Sequence, residues 1–524
     1  MRKSILQSHK TNKKVTATDE KWMKRAIVFL AASVFAVALF SVTRSQNVDP
    51  SVSPARPNIV FIRTDDQNVS DVDIKKGDGT LVMPNLNNLV REKGATFTNS
   101  FVSLSLCCPS RVTFLTGQHA HNNTIVSNTL PDGGYNRVVE LGLQDNVLPV
   151  WVKQAGYHTM HVGKYLNEYG YGPSINDKAV PPGWDQWFTL WGGAQTYPYF
   201  DYKINEDGVI KQFGKTPIDY QTDVLTNKAV VYIREQKTAS RPFFLMLDYF
   251  APHWGGVPWP GNTKSPVPAP RHSGLLDNYN PTYPPSFNEE DVSDKPEIIK
   301  NLPKLDDGAI AGITRSYRDR LESLMAVDDG IGRLISALEQ TGKLDNTYII
   351  FTSDNGYELG EHRISKGKDQ IYEESVRVPL LMRGPGITPQ TVITGLVTNV
   401  DYAATILDIA GATPGLPQDG RSFMPLVRDA SASWRNDFLI ESSSGKSFDA
   451  IRTNNYTYAE YDYDGNGTID DRELYNFVPD QCRSEADPYE LESQHNNPCY
   501  RKLIQELHSR LTQLKTCSGA SCWQ

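Results

Sequence analysis

Two short apolar runs, each delivering acidic residues at its C-terminal end, constrain the fold of this chain most. Asn58–Thr64 (NIVFIRT) is β-branched and apolar, as a buried strand is, and runs straight into Asp65 and Asp66. Tyr348–Thr352 (YIIFT) repeats the pattern and runs into Ser353, Asp354 and Asn355. The segment before it, Arg315–Gly342, has helical periodicity and a glycine stop, so a helix feeds the strand. Open α/β sheets gather their ligands just beyond the carboxyl ends of such strands. Three carboxylates and one amide oxygen brought there from distant parts of the chain are hard donors. They suit a divalent cation such as Ca²⁺ or Mg²⁺, and no His or Cys cluster competes for zinc.

At 524 residues the chain exceeds one typical core, so a large and a small domain are expected. Its net charge of −8 gives no global basic field to recruit polyanions, and nucleic acid is not an expected partner. An anionic substrate would have to be drawn in by a local group of cations.

Residues 1–25 are polar and basic, and Ala26–Val42 is an uncharged apolar run ending before Arg44. Its length sits at the short limit for a membrane helix, about 17 residues. The long basic leader favours a signal-anchor, while Ala36-Val37-Ala38 and Ser41-Val42-Thr43 offer signal-peptide cleavage sites. In both cases the body is exported, membrane-anchored or secreted, with 43–57 as a Pro/Ser-containing linker. Cysteine usage agrees. Cys482, Cys499, Cys517 and Cys522 form an even C-terminal set, read as two disulfides. The local pairing is Cys482 with Cys499 and Cys517 with Cys522, one of three connectivities. Asn68, Asn122, Asn455 and Asn466 head N-x-S/T sequons.

The other two cysteines, Cys107 and Cys108, stand in Leu106–Gly117 (LCCPSRVTFLTG). Pro109 suits the first turn of a helix, which places both thiols at a helix N-terminus, where free N–H groups favour anions. Arg111 reaches back to the same place. The five-residue Cys-to-Arg spacer of thiol phosphatases is absent.

This stretch resembles the signature of the sulfatase family, C-x-P-S-R followed by T-G. The resemblance implies that Cys107 is oxidised after synthesis to formylglycine by a formylglycine-generating enzyme, and that Arg111 holds the hydrated aldehyde. It also implies that Asp65, Asp66, Asp354 and Asn355 bind the cation, with modified Cys107 adding an oxygen. His161–Gly170 (HVGKYLNEYG) matches the family's G-K segment and makes Lys164 a sulfate-binding cation. Many arylsulfatases carry His two residues later; here Leu166 stands there, with Asn167 next to it as a substitute leaving-group contact. The segment, with Pro181–Trp184 after it, is similar to the glucosamine-6-sulfatase and extracellular heparan endosulfatase branch. The A-P-H ending of Arg241–His253 assigns His253 to the sulfate pocket as donor or general acid, and Lys368 matches the second sulfate-binding lysine. His362 and His121 have weaker claims.

The implied fold is α/β, alkaline phosphatase-like: a large, mixed but mostly parallel sheet flanked by helices over 58–410. A C-terminal part, 411–524, is expected to hold a small antiparallel sheet (Phe438–Glu441, Tyr456–Tyr461) and a helix at Pro498–Leu514. Within it, Asp462–Glu473 (DYDGNGTIDDRE) fits an EF-hand loop through Asp462, Asp464, Asn466 and Glu473, which would make a second Ca²⁺ site. Its flanks read as strands, so an acidic hairpin tip is the alternative. Trp184, Trp187, Trp191, Tyr197 and Tyr199 are available either to stack on sugars or to fill core.

The expected activity is hydrolysis of O-sulfate esters, with the 6-O-sulfate of an amino sugar or sulfated glycan favoured over a small aryl sulfate. A phosphodiesterase or phosphonate hydrolase of the same superfamily, and a non-catalytic protein that holds a sulfated glycan, are the alternatives.

Overall fold

The computed structural model describes residues 56–172, 178–192, 198–255 and 265–524. The basic leader, the apolar run 26–42, all but the last residues of the linker, and Tyr197 lie outside the described residues. Among the described residues no helix is long and apolar enough to cross a membrane.

The strand expected at Asn58–Thr64 forms over those residues as β1. It lies inside a ten-stranded sheet with β2 (Ala95–Phe97), β4 (His158–Gly163), β5 (Gln186–Trp191), β6 (Lys203–Glu206), β7 (Val209–Gln212), β8 (Phe243–Asp248), β9 (Thr347–Ser353), β10 (Leu380–Arg383) and β11 (Thr391–Ile393). A short pair, β3 (Ser100–Phe101) and β12 (Val397–Thr398), stands beside it. The order is β11-β2-β10-β9-β1-β8-β4-β5-β6-β7. The central strands β9, β1, β8, β4 and β5 run parallel, and antiparallel pairing begins at β10 and at β6. This is the mixed, mostly parallel sheet that was expected.

Because side chains alternate along a strand, β1 feeds two cores. Val60 and Ile62 pack with helices α2 (Gln221–Glu235) and α3 (Asp307–Gln340) on one face. Ile59 and Phe61 pack with α1 (Cys107–Thr116) and α4 (Val400–Ala410) on the other, Phe61 stacking on Phe114 at 4.5 Å. A strand buried on both faces has no need of polar alternation, which explains its continuous apolar sequence. Helix α3 begins eight residues before the expected Arg315. The Asp306 side chain accepts the Ala309 N–H at 2.8 Å as an N-cap. Most of its first two turns is exposed or half-buried, so they carry little apolar periodicity.

The C-terminal sheet has the order β13 (Asp437–Glu441), β14 (Phe448–Thr453), β15 (Tyr456–Tyr461), β16 (Asp471–Asn476), antiparallel throughout. β14 was not anticipated: Asp449 and Arg452 interrupt its apolar residues, yet it lies between β13 and β15. Helix α5 (Arg501–Leu514) covers one face through Leu507, Leu511 and Leu514. The other face packs Phe438, Ile440 and Tyr461 against Phe101, Ile371 and Tyr372 of the main body. Residues 55–524 thus make one compact unit. The disulfides are Cys482–Cys499 and Cys517–Cys522, the local pairing.

Candidate active site

Three neighbouring strands deliver their ends to one place. β1 runs into Asp65 and Asp66, its neighbour β9 into Asp354 and Asn355, and β8 ends in Asp248. The main chain locks the turns: the Asp354 N–H donates to the Thr64 carbonyl at 3.1 Å, and the Asp65 N–H to Ala251 at 3.3 Å. Asp66 takes φ 66°, a left-handed conformation that residues with a side chain adopt rarely and that concentrates at functional sites.

Opposite them stands α1, with Cys107 as its first residue and Pro109 in its first turn. The helix stops at Gly117, whose φ of 68° is one that residues with a side chain adopt rarely. All of α1 is buried, so Arg111 is held among acids rather than in water. Its Nη2 lies 3.0 Å from Asp65, its Nε 2.8 Å from Asp354 and its Nη1 3.6 Å from Asp248. Nη1 also donates to the Lys164 carbonyl at 2.7 Å.

The expected cations close the site. Lys164 pairs with Asp65, and Lys368 pairs with Asp66 and donates to Cys107 Sγ at 2.7 Å. Cys107 Sγ lies 3.5 Å from Asp65 Oδ1. Asn355 Nδ2 donates to Asp66 Oδ1 at 2.6 Å. His253 sets Nε2 3.7 Å from Asp66 Oδ2, and its Nδ1 is 2.6 Å from the Trp254 carbonyl. A carbonyl only accepts, so Nδ1 carries the hydrogen and Nε2 is the basic nitrogen facing the acids. The structure therefore brings Asp65, Asp66, Cys107, Arg111, Lys164, His253, Asp354, Asn355 and Lys368 together. Ligand atoms of Asp65, Asp66, Cys107 and His253 lie within 4.8 Å of one another.

Burial, and next to it the Asp65 charge, pushes the Cys107 thiol up to about 12, so the sulfur is a neutral thiol. Burial alone would raise Asp65, but Lys164, His253, Arg111 and Lys368 together hold it well below the usual carboxylate range. Burial draws His253 down to about 4, against the pull of Asp66 and Asp65. The residues fit a hard divalent cation: oxygen donors converge, and the fully buried Asp66 Oδ2 has no hydrogen-bond partner among the described residues.

Sequence reasoning missed Asp248 and Arg63. They pair at 2.5 Å beneath Arg111, and His161 Nε2 adds a contact to Asp248 at 3.2 Å. A charge inside each of two otherwise apolar strands was the available signal. Asn167 is buried, and its carbonyl accepts the Tyr135 N–H at 2.7 Å. Trp184 and Trp187 are core, packed on His161, and the buried Tyr199 donates to the His253 carbonyl at 2.7 Å. Trp191 is half-buried. His121 bonds Glu441 and the Cys517 carbonyl, and His362 bonds Glu289.

The EF-hand reading needs one correction. Oxygens of Asp462, Asp464 and Asp470 lie within 4.8 Å of one another, but Glu473 is not with them. It sits in β16, fully buried, taking hydrogen bonds from the hydroxyls of Tyr372, Tyr461 and Tyr475. Strand pairing of Tyr461 with Asp471 turns its side chain into the core. Of the sequons, Asn68 is buried with its amide donating to the Tyr357 carbonyl, whereas Asn455 and Asn466 are exposed.

The family model described as Sulfatase matches residues 57–412. The chain belongs to the sulfatase family. It is a sulfuric ester hydrolase. A second model, described as the C-terminal region of N-sulphoglucosamine sulphohydrolase, matches residues 360–517 of this sulfatase. N-acetylglucosamine-6-sulfatase of Homo sapiens is 32% identical over 89% of this chain and 86% of its own length. An extracellular sulfatase of Drosophila melanogaster is 34% identical over 75% of this chain and 34% of its own. A solved structure in complex with its substrate D-glucosamine-2-N,6-O-disulfate superposes with a TM-score of 0.68 at 26% identity, covering 88% of this chain and 98% of that one.

Proposed function

We propose that this sulfatase hydrolyses the 6-O-sulfate of an amino sugar within a sulfated glycan, using formylglycine made from Cys107 and one divalent cation, Ca²⁺ or Mg²⁺. The observation that carries the reading is the place of Cys107. It opens α1 between Asp65 and Lys368, with Arg111 one turn on, as a neutral thiol poorly suited to attack in its own right. The substrate class is drawn from the human relative's name and from the sugar in the superposed complex.

Formylglycine supplies, as its hydrate, a hydroxyl already positioned to act as nucleophile. Asp65, Asp66, Asp354 and Asn355 would hold the cation, which would supply charge against which an anionic ester can be bound. Around it, Lys164 and Lys368 neutralise sulfate oxygens, and Arg111 fixes the two acids that would otherwise repel each other. His253 Nε2 accepts the proton given up by the attacking hydroxyl and passes it to the leaving alcohol oxygen. The Trp254 carbonyl keeps its ring from turning. The basic leader, the apolar run and the two disulfides support an exported body, membrane-anchored or secreted, in line with the extracellular relative.

Peptide mass spectrometry across residues 107–111, alongside assays of N-acetylglucosamine-6-sulfate and 4-nitrophenyl sulfate, tests the proposal. Formylglycine at 107, sugar desulfation lost on chelation, and no activity in Cys107→Ala are expected. A fully unmodified thiol in native material would leave a glycan-holding protein and overturn the hydrolytic mechanism.

A further inference from the structure

A second group of acids is buried beyond β9, in residues the hydrolysis does not use. Glu358 is fully buried, and neither carboxylate oxygen has a hydrogen-bond partner among the described residues. Ser375 approaches it without reaching hydrogen-bond geometry. Glu490, 1% exposed, accepts the Glu373 N–H on Oε2 at 2.9 Å, and its Oε1 has no hydrogen-bond partner among the described residues. His362, fully buried, shares Nδ1 with Glu289 at 2.7 Å and stacks on Tyr372 at 3.9 Å, and its Nε2 has no hydrogen-bond partner among the described residues. A ring nitrogen of His362 and carboxylate oxygens of Glu374 and Glu490 lie within 4.8 Å of one another.

Several lone pairs thus face one another in a buried pocket with too few donors among the described residues. Burial first, then mutual repulsion, raises Glu358, Glu374 and Glu490, Glu374 to about 8. The cations that come near are already engaged. Lys295 donates to the Tyr475 hydroxyl and the Glu490 carbonyl, and Arg452 pairs with Glu373 at 3.0 Å. Acids buried in this way are normally paired or coordinate a metal.

We propose that His362, Glu374 and Glu490, with Glu358 beside them, hold a second, structural divalent ion of the first transition row, for which Zn²⁺ is the probe. One imidazole with carboxylates is a donor set suited to Zn²⁺ or Mn²⁺ rather than to the all-oxygen preference of Ca²⁺. Glu289 on Nδ1 supplies the carboxylate that commonly orients a metal-bound imidazole. Glu374 is half-buried and lines a cleft of about 580 Å³ with Glu361 and Tyr489, which gives an ion its way in. Such an ion ties three segments together: the loop that starts at Asn355, the turn of helix after Lys368, and the C-terminal part through Glu490. The inference does not depend on the hydrolytic mechanism.

The test is Zn²⁺ binding by the chelator-stripped, refilled full chain in excess Ca²⁺, read by elemental analysis and thermal unfolding. Wild type is expected to retain Zn²⁺ and to gain melting temperature. Glu490→Gln and Glu374→Gln should each bind at least about tenfold more weakly and lose the gain. Zn²⁺ taken up by the catalytic acids is common to all three proteins, so the difference isolates this site. Should Glu490→Gln fail to fold, Glu374→Gln, at a half-exposed position, gives the same comparison. Equal Zn²⁺ binding by wild type and variants overturns the proposal. So does a Glu490→Gln protein that is more stable than wild type with no metal effect in either, because the cluster would then be protonated acids only.

Discussion

Arg111 joins the ends of two strands, its Nη2 3.0 Å from Asp65 and its Nε 2.8 Å from Asp354, with all three side chains fully buried. The two acids come from β1 and β9, so the guanidinium acts as a clasp across the sheet as well as a charge beside Cys107. Removing one partner of a buried ionic group leaves the others uncompensated, at a cost of about 3–5 kcal/mol. Arg111→Ala should lower urea-unfolding stability by that order and abolish activity. Arg111→Lys restores the charge without the planar fork, and should recover part of the stability but little turnover.

Lys368 offers a cleaner separation of chemistry from folding. It touches Cys107 Sγ and Asp66, and its side chain retains 12% exposure. Loss of a preorganised donor to developing charge costs about 10²–10³ in kcat. Lys368→Ala should therefore show that loss on N-acetylglucosamine-6-sulfate, while its thermal unfolding moves much less than that of Arg111→Ala. Parallel losses in both measurements would make Lys368 a structural cation.

The residues most legible in the sequence were those placed by simple rules. Asp65, Asp66, Asp354 and Asn355 follow apolar runs at strand ends, and Cys107 and Arg111 stand one turn apart at the start of a helix. Lys164, His253 and Lys368 carry no such local signal and were reached through the family resemblance alone. Asp248 and Arg63 were hidden because a charge inside a buried strand reads as noise until its partner is known, and their partner lies in the neighbouring strand. β14 was hidden for a related reason: its burial comes from two neighbours distant in pattern, not from its own composition.

The loop after α1 is tied to the C-terminal sheet by His121 and Glu441, at 2.8 Å. Burial would lower His121, but the hydrogen bond and charge of Glu441 raise it above its ordinary 6.5. Burial would raise Glu441, yet the His121 hydrogen bond and the nearby His119 ring, 3.4 Å away, hold it well below 4.5. The His121 contribution is fully present below pH 6.5 and fades as pH rises through the raised value. The Glu441 contribution is present above pH 4.5 and fades in stronger acid. The stability difference between wild type and His121→Gln should therefore be largest between about pH 4.5 and 6.5 and shrink towards pH 9. A pH-independent difference in urea unfolding would assign the pair a packing role only.

The acidic tip between β15 and β16 closes on its own hydrogen bonds. Asp462 accepts the N–H groups of Asn466 at 3.1 Å and Gly467 at 2.8 Å, and Asp470 accepts that of Tyr463 at 2.8 Å. An EF-hand of useful affinity relies on a bidentate glutamate at its twelfth position, and here Glu473 is committed to three tyrosine hydroxyls in the core. The Ca²⁺-dependent part of the melting temperature should come from the catalytic acids and not from this tip. Asp462→Asn combined with Asp464→Asn should leave the Ca²⁺-dependent part of that temperature unchanged, whereas Asp354→Asn should remove it. A Ca²⁺ response lost in the tip variant but kept in Asp354→Asn would reverse the assignment and make Asp470 the third acid of a working calcium loop.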